Sequence, residues 1–393
     1  MRVVVSTIAR FHHFDLAREL QKRDLLTAIY TGYPQFKLRN SGVDPSRIRS
    51  FPWLQAPYMA LLRWPWFART MEGRWSNWAH RALDAHVART LPECDLVVAQ
   101  CRIGVKTGAA ARKRGIVYVC DPGSTHILYQ DRLLREEHER LGFPYAGIDS
   151  RAVERDLAEY ELADAITVPS SFVRDSFLAE GVPAEKLILA PYGVDRRIFG
   201  RTAPRAEEFR VLFVGQLGVR KGLHHLLRAF RKAALPNARL VLIGSLLPEG
   251  RAILAREPVA GLTWLGHQPW SRVVHEMSRA SVFVLPSIEE GLALVQAQAM
   301  ACGCPVIASE HTGSRDLFHD GREGFILPVG DTDAMADRLR RLYEDRDLLA
   351  AMSSAALERT AAIGGWDEYG RRLTAAYAAL LKRDALGPPG RCT

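Results

Sequence analysis

The chain has 393 residues, of which 48% are hydrophobic and 25% charged, with a formal net charge of +9. Those proportions exclude a largely disordered chain, and the length suits two or three domains with sizeable cores. The charge is uneven: residues 1–120 hold 19 Lys or Arg against 8 Asp or Glu, whereas 121–200 hold 9 against 15. A basic first third suits phosphate, anionic lipid or nucleic acid, but the sequence carries no recognised nucleic-acid module.

The N-terminus, Met1-Arg-Val-Val-Val-Ser-Thr7, reads as a short strand rather than a signal peptide. A helix over 15–23, a turn at Asp24 and a strand over 25–30 follow. Residues 51–75 hold Trp53, Trp64, Trp66 and Trp75 beside Arg63, Arg69 and Arg74. That mixture suits an anionic membrane surface, although Pro52, Pro57 and Pro65 interrupt any long amphipathic helix and equally suit a packed segment. Further strands are expected at 95–99, 115–120 and 165–169, with a helix over 105–114 and another from 172, capped by Ser170-Ser171. A second block alternates strands at 210–214, 239–243, 262–265, 281–285 and 305–309 with helices at 223–234, 271–279 and 292–301. These strands are nearly continuous apolar runs, as in parallel sheets covered on both faces. Two α/β halves follow, joined around 192–205, and ligands of such sheets bind at the carboxyl ends of strands.

Two segments carry chemistry. Gly215-Gln-Leu-Gly-Val-Arg-Lys-Gly222 links a strand to a helix and brings Arg220 and Lys221 to a helix N-terminus, where anions are already favoured. A solvated basic loop is the plain alternative. In Pro286-Ser-Ile-Glu-Glu-Gly-Leu-Ala-Leu-Val-Gln-Ala-Gln298 a strand ends, an acidic loop opens a helix, and Glu290 either caps that helix or binds sugar hydroxyls. Gln298, eight residues on, would share a helix face with Glu290.

Together these segments resemble the retaining glycosyltransferases with the GT-B fold, of the family 4 type. The likeness covers Val211 to about Asp331, including Asp320-Gly-Arg-Glu-Gly-Phe-Ile-Leu-Pro328, and Tyr192-Gly-Val-Asp195 is similar to the segment before the family's linker. The resemblance implies two Rossmann-like domains whose parallel sheets face across a cleft. Residues 1–200 would bind the acceptor and 201–370 the nucleotide sugar, with a C-terminal helix and tail over 371–393 returning to the first domain. Lys221 matches the lysine that binds the donor pyrophosphate. The family's companion arginine follows the loop's first glycine, where this chain has Gln216, so Arg220 is the substitute. The paired glutamates of the family match Glu290, toward the transferred sugar, and Gln298, toward the ribose. Gly215, Gln216, Gly291, Leu292, Ala293, Leu294 and Gln298 would line the nucleotide. The family's N-domain histidine has its counterpart near Val119-Cys-Asp121 and His126, so Asp121 and His126 are expected to line the cleft, while His12 and His13 read mainly as surface or capping residues, with a cleft-facing position open because their loop follows the first strand.

The implied reaction transfers a sugar from a nucleotide-diphosphate donor to a glycan or lipid-linked acceptor in polysaccharide or glycolipid synthesis. It needs no metal or other cofactor, and the setting is cytoplasmic or at the inner face of the membrane. Asp331-Thr-Asp333 and Asp345-Arg-Asp347 look like metal motifs but read as helix caps. Cys302-Gly-Cys304 has no further ligand nearby and reads as a helix end. His224-His225, near a helix start without a carboxylate close in sequence, reads as surface. The competing functions are a nucleotide-sugar epimerase or hydrolase on the same fold, identified by turnover without acceptor, and a non-catalytic anionic-surface binder, identified by failure to bind nucleotide sugar.

Overall fold

The computed structural model describes residues 1–61, 64 and 71–385. The first sheet is parallel, in the order β3-β2-β1-β4-β5-β6-β7, from β1 (Val3–Thr7), β2 (Leu26–Thr31), β3 (Ile48–Ser50), β4 (Leu96–Gln100), β5 (Val117–Asp121), β6 (Ala165–Val168) and β7 (Leu187–Leu189). Around it lie α1 (His13–Gln21), α2 (Gln55–Leu61), α3 (Glu72–Thr90), α4 (Val105–Lys113), α5 (Ile127–Leu141), α6 (Ser150–Leu162) and α7 (Ser171–Ala179). The second sheet is also parallel, in the order β10-β9-β8-β11-β12-β13, from β8 (Arg210–Val214), β9 (Arg239–Ile243), β10 (Leu262–Trp264), β11 (Val282–Leu285), β12 (Val306–Ser309) and β13 (Gly324–Leu327). Its helices are α8 (Leu223–Ala233), α9 (Pro248–Arg256), α10 (Trp270–Arg279), α11 (Leu294–Ala301), α12 (Ser314–Leu317), α13 (Thr332–Glu344), α14 (Arg346–Ile363) and α15 (Trp366–Ala385).

The strands form where apolar residues run without interruption. Every residue of β1, β5, β6, β11 and β12 is buried, because helices cover both sheet faces. Asp24 adopts the left-handed conformation (φ 55°) in the turn between α1 and β2. Ser170 caps α7, accepting from Val173 N, while Asp331 and Asp345 cap α13 and α14. Both Asp-x-Asp pairs thus open helices. Cys302 follows α11 as its C-cap, and Cys302 and Cys304 are buried.

Helix α11 starts two residues later than expected. Ala293 is extended (φ −75°, ψ 91°) and forms the N-cap. Glu290 therefore lies in a loop, does not cap the helix, and does not share a helix face with Gln298. The loop 286–293 is held by β12's following turn, through Glu290 N to His311 O at 3.0 Å and Ala293 N to Thr312 O at 3.2 Å.

The domains meet along several side chains. Ser170 Oγ donates to Gly291 O at 2.6 Å, and Ser171 N and Oγ donate to Asp316 at 2.8 Å each. The rings of Phe172 and His311 stack at 4.5 Å. Helix α15 returns to the first domain: Arg23 donates to Asp367 O at 2.9 Å, and Trp366 and Tyr369 pack on Tyr192. Among the described residues no helix is long and apolar enough to cross a membrane. Arg63, Trp66 and Arg69 of the aromatic segment lie outside the described residues; Trp53 and Trp64 are 75% and 57% exposed.

Candidate active site

The loop after β8 and the loop after β11 form one unit at the carboxyl edge of the second sheet. Ile288 N donates to Arg220 O at 2.9 Å. Gly222 has φ +67°, and a Cβ there would lie 1.9 Å from Pro286 O, so only glycine lets the loops approach this closely. The contact places the Glu290 carboxylate against Lys221 Nζ, with Arg220 Nη1 at 3.6 Å. Burial opposes ionisation of Glu290, but Lys221 and Arg220 outweigh it and hold the carboxyl below its ordinary range. Lys221 heads α8, where the backbone N–H groups also favour an anion.

Arg220 is not free. Its Nη1 donates to Glu289 O at 3.1 Å and to the Glu289 carboxylate at 3.2 Å. Glu289 is fully buried and crosses the domain boundary, accepting from Thr125 Oγ1 and Gln130 Nε2 at 2.8 Å each. It went unnoticed in the sequence because Glu290 alone matched the motif; the adjacent pair of acids was the available signal. Across from it, Gly291 abuts the first domain so closely that a Cβ would lie 1.9 Å from Gly123 O.

On the first-domain side, β5 delivers Asp121. Its Oδ2 is 2.9 Å from His12 Nε2 and 3.3 Å from His13 Nε2, and Tyr192 Oη is 3.4 Å from His12 Nε2. Burial raises the Asp121 carboxyl, yet the two histidines prevail and keep it below the ordinary range. His13 is 1% exposed, and burial, aided by His12, pushes its imidazole down to about 3. His13 is therefore buried, against the surface reading, while His12 is half-buried and lines a cavity, the cleft-facing alternative; both rings reach Asp121 at the end of β5. His126 departs from expectation in the opposite sense. It precedes α5, but its ring turns into the first-domain core, 4.9 Å from Tyr160 and 5.1 Å from Phe177, and does not line the cleft with Asp121. Burial pushes its pKa down to about 4.

Two cavities flank the His12 loop. One, of about 650 Å³, is lined by His12, Phe11, Trp270, Leu294, Gln298 and Trp366 among others. The other, of about 540 Å³, takes in Phe11, Gln100, Ser124, Gln130 and Arg220. Both sizes suit small-molecule substrates. Gly215 is half-buried and Gln216 exposed, at the mouth of the β8 loop; Leu292 and Ala293 are buried behind it. The structure thus brings together Arg220, Lys221, Glu290 and Gly291, and sets Gly291 against Gly123, two residues beyond Asp121. Gln298 lies in the larger cavity, while His126 does not join the group. His224 and His225, read as surface, are buried: both imidazoles point at Glu137 of α5.

Residues 194–359 match the family model described as Glycosyl transferases group 1. That match runs through the second domain from β8 to α13. Over 286 residues the chain is 29% identical to the alpha-maltose-1-phosphate synthase of Mycolicibacterium smegmatis, covering 64% of this chain and 71% of that protein. Over 217 residues it is 32% identical to the D-inositol 3-phosphate glycosyltransferase of Mycobacterium avium, covering 51% and 50%. Other curated relatives are matched over half of their length or less. Among solved structures, HepE of Anabaena in complex with UDP and glucose superposes with a TM-score of 0.72 at 18% identity, over 96% of this chain and 100% of that one. The sucrose-phosphate synthase of Thermosynechococcus elongatus does so at 0.72 and 20% identity, over 97% and 99%. The fold of the whole chain is therefore GT-B.

Proposed function

We propose that this protein is a glycosyltransferase that moves a hexosyl group from a nucleotide-diphosphate donor to a glycan or lipid-linked acceptor, with retention of anomeric configuration. The observation that carries the reading is the Lys221–Glu290–Arg220 cluster, at the head of α8 and facing Asp121 and His12 of the first domain. Charge builds on the leaving diphosphate as the glycosidic bond breaks, so a fixed cation at a helix N-terminus stabilises the transition state more than the ground state. In this reading Lys221 takes the diphosphate and Arg220, steadied by Glu289, keeps Glu290 ionised and in place; these cations replace a metal. Glu290 accepts hydrogen bonds from the transferred sugar, while Gln298 and the backbone of residues 215–216 and 291–294 hold the nucleoside. Asp121, with His12, faces the acceptor side.

The likeness to HepE, solved with UDP and glucose, supports a nucleotide-sugar donor. Relatives named for colanic acid and amylovoran biosynthesis support an acceptor in polysaccharide or glycolipid synthesis. A thermal-shift panel of uridine, guanosine, thymidine and adenosine diphosphates tests the donor site: a ligand at about 100 times its Kd stabilises by about 2.7 kcal/mol. Failure of all four to shift the melting temperature would overturn the reading, and an inverted product anomer would overturn retention. The exposed Trp53 and Trp64 on a basic domain favour docking at the inner membrane face to reach a lipid-linked acceptor. Flotation with vesicles should show binding that rises with anionic lipid and falls with salt; no association with any vesicle would refute docking.

A further inference from the structure

We propose that Glu137, His224 and His225 form a binding site for a divalent transition-metal ion of the zinc class, bridging the two domains. Glu137 belongs to α5 of the first domain, and the histidines occupy the first turn of α8, directly after Lys221-Gly222. Both Nε2 atoms converge on the same oxygen, Glu137 Oε1, at 2.7 Å from His224 and 3.0 Å from His225. The three ligand atoms lie within 4.8 Å of one another. The side chains are 1%, 10% and 3% exposed for His224, His225 and Glu137.

Hydrogen bonding alone does not account for this arrangement. His224 Nε2 makes a bond of good geometry to Glu137. His225 Nε2 has no hydrogen-bond partner among the described residues despite its closeness to the same oxygen. A buried polar atom left this way is costly, and a metal ion takes both imidazoles and the carboxylate at once. Two imidazoles and a carboxylate are the donor set of zinc and its neighbours, which leave a fourth position to water. Arg140 Nη1 donates to Glu137 Oε2 at 3.0 Å, orienting the carboxylate and leaving Oε1 inward. Metal–ligand bonds of about 2.0–2.2 Å set neighbouring tetrahedral ligand atoms roughly 3.3 Å apart, so the two nitrogen–oxygen separations of 2.7 and 3.0 Å need to widen by only a few tenths of an ångström.

The charged surroundings allow it. Arg228, one turn along α8, is engaged by Glu257 at 2.6 Å, and Arg140 is engaged by Glu137 itself. An ion here would pin α5 of the first domain to the helix whose head carries Lys221.

The test uses untagged full-length protein stripped with a chelator, then dialysed against Zn²⁺ and, separately, Co²⁺. One Zn²⁺ per chain is expected, together with a visible Co²⁺ spectrum of a four- or five-coordinate nitrogen–oxygen site and a Zn²⁺-dependent rise in melting temperature. His225→Ala, at the rim of the cluster, should fold as judged by circular dichroism and bind at least about 100-fold more weakly, with the thermal shift abolished. A wild-type protein that retains no stoichiometric Zn²⁺ overturns the proposal. So does wild-type affinity in His225→Ala. Should that variant not fold, Co²⁺ bands absent from the wild type overturn it equally.

Discussion

Glu290 and Asp121 make the same construction in the two domains, a buried carboxylate at a strand's carboxyl end flanked by two basic side chains. They differ in what the bases are. Glu290 faces the ammonium of Lys221 and the guanidinium of Arg220, whereas Asp121 faces two imidazoles, of which burial pushes His13 down to about 3. The second domain therefore offers a fixed field, suited to a phosphate leaving group. The first offers ring nitrogens beside a carboxylate, suited to hydrogen bonding with hydroxyl groups. Arg220 marks a second difference, since Glu289 already holds it from the domain boundary.

The largest expected effect breaks the fixed half of this comparison. Lys221→Ala should lower turnover by about 10²–10³, as for loss of one preorganised donor. Arg220→Ala should act differently, because it also frees the buried Glu289 from a charge partner: its cost should appear in melting temperature as well as in rate. Steady-state kinetics and thermal melts of both variants check this. A Lys221→Ala enzyme near wild-type rate would remove the diphosphate assignment.

Much of this was readable in the residues, and the failures share a cause. The second domain's strands and its two loops are local signals: apolar runs, glycines and a Lys at a helix head. Two α/β halves followed from the alternation, and the GT-B fold from the resemblance that the two loops carry. Helices α5 and α6 escaped notice because Ile127–Leu141 is rich in charge and buries only Ile127, Leu134 and Glu137, too few for a 3.6-residue rhythm. Glu289, the contact of His12 and His13 with Asp121, and the Glu137–His224–His225 cluster were missed for a different reason. Each acquires meaning from a partner 87 or more residues away, and sequence spacing carries no trace of it. His126 failed in reverse, placed by its neighbourhood in sequence although its ring packs on Tyr160 and Phe177.

A middling effect sharpens the titratable half. His13, His126 and His224 are held by burial at about 3, 4 and 4, below the ordinary histidine value near 6.5. Between about pH 6.5 and those values the unfolded chain takes up protons that the folded chain refuses. Stability therefore rises with pH across that window and is lost as pH falls from about 6.5 toward 4. Melting temperature followed from pH 7.5 to 4.5 should fall below about 6.5, against the opposing contribution of Glu159, whose carboxyl burial pushes up to about 8. His126→Phe, which keeps a ring against Tyr160 and Phe177, should flatten that slope while leaving turnover within about twofold, the scale of a substitution away from the chemistry. A large loss of turnover with unchanged melting would return His126 to the catalytic group.

The smallest effect concerns Gln298. The family pattern has a glutamate here, and the question is whether this cavity rejects a second carboxylate. The cavity that Gln298 lines is also lined by Asp15 and Asp195, but Arg10 and Arg18 stand with them, so a new negative charge enters a balanced and solvated wall. Gln298 is half-buried and off the Glu290 loop, so it shares no contact with Lys221 that the change would disturb. Gln298→Glu should keep turnover and melting temperature near wild type, within about 0.5 kcal/mol of stability, and should tighten donor binding modestly by offering ribose hydroxyls a charged acceptor. Donor KM and kcat measured together decide it. A loss confined to KM would mean that Asp15 and Asp195 dominate the cavity's field and that glutamine is there to avoid a third like charge. A loss in kcat would place Gln298 nearer the chemistry than the ribose role allows.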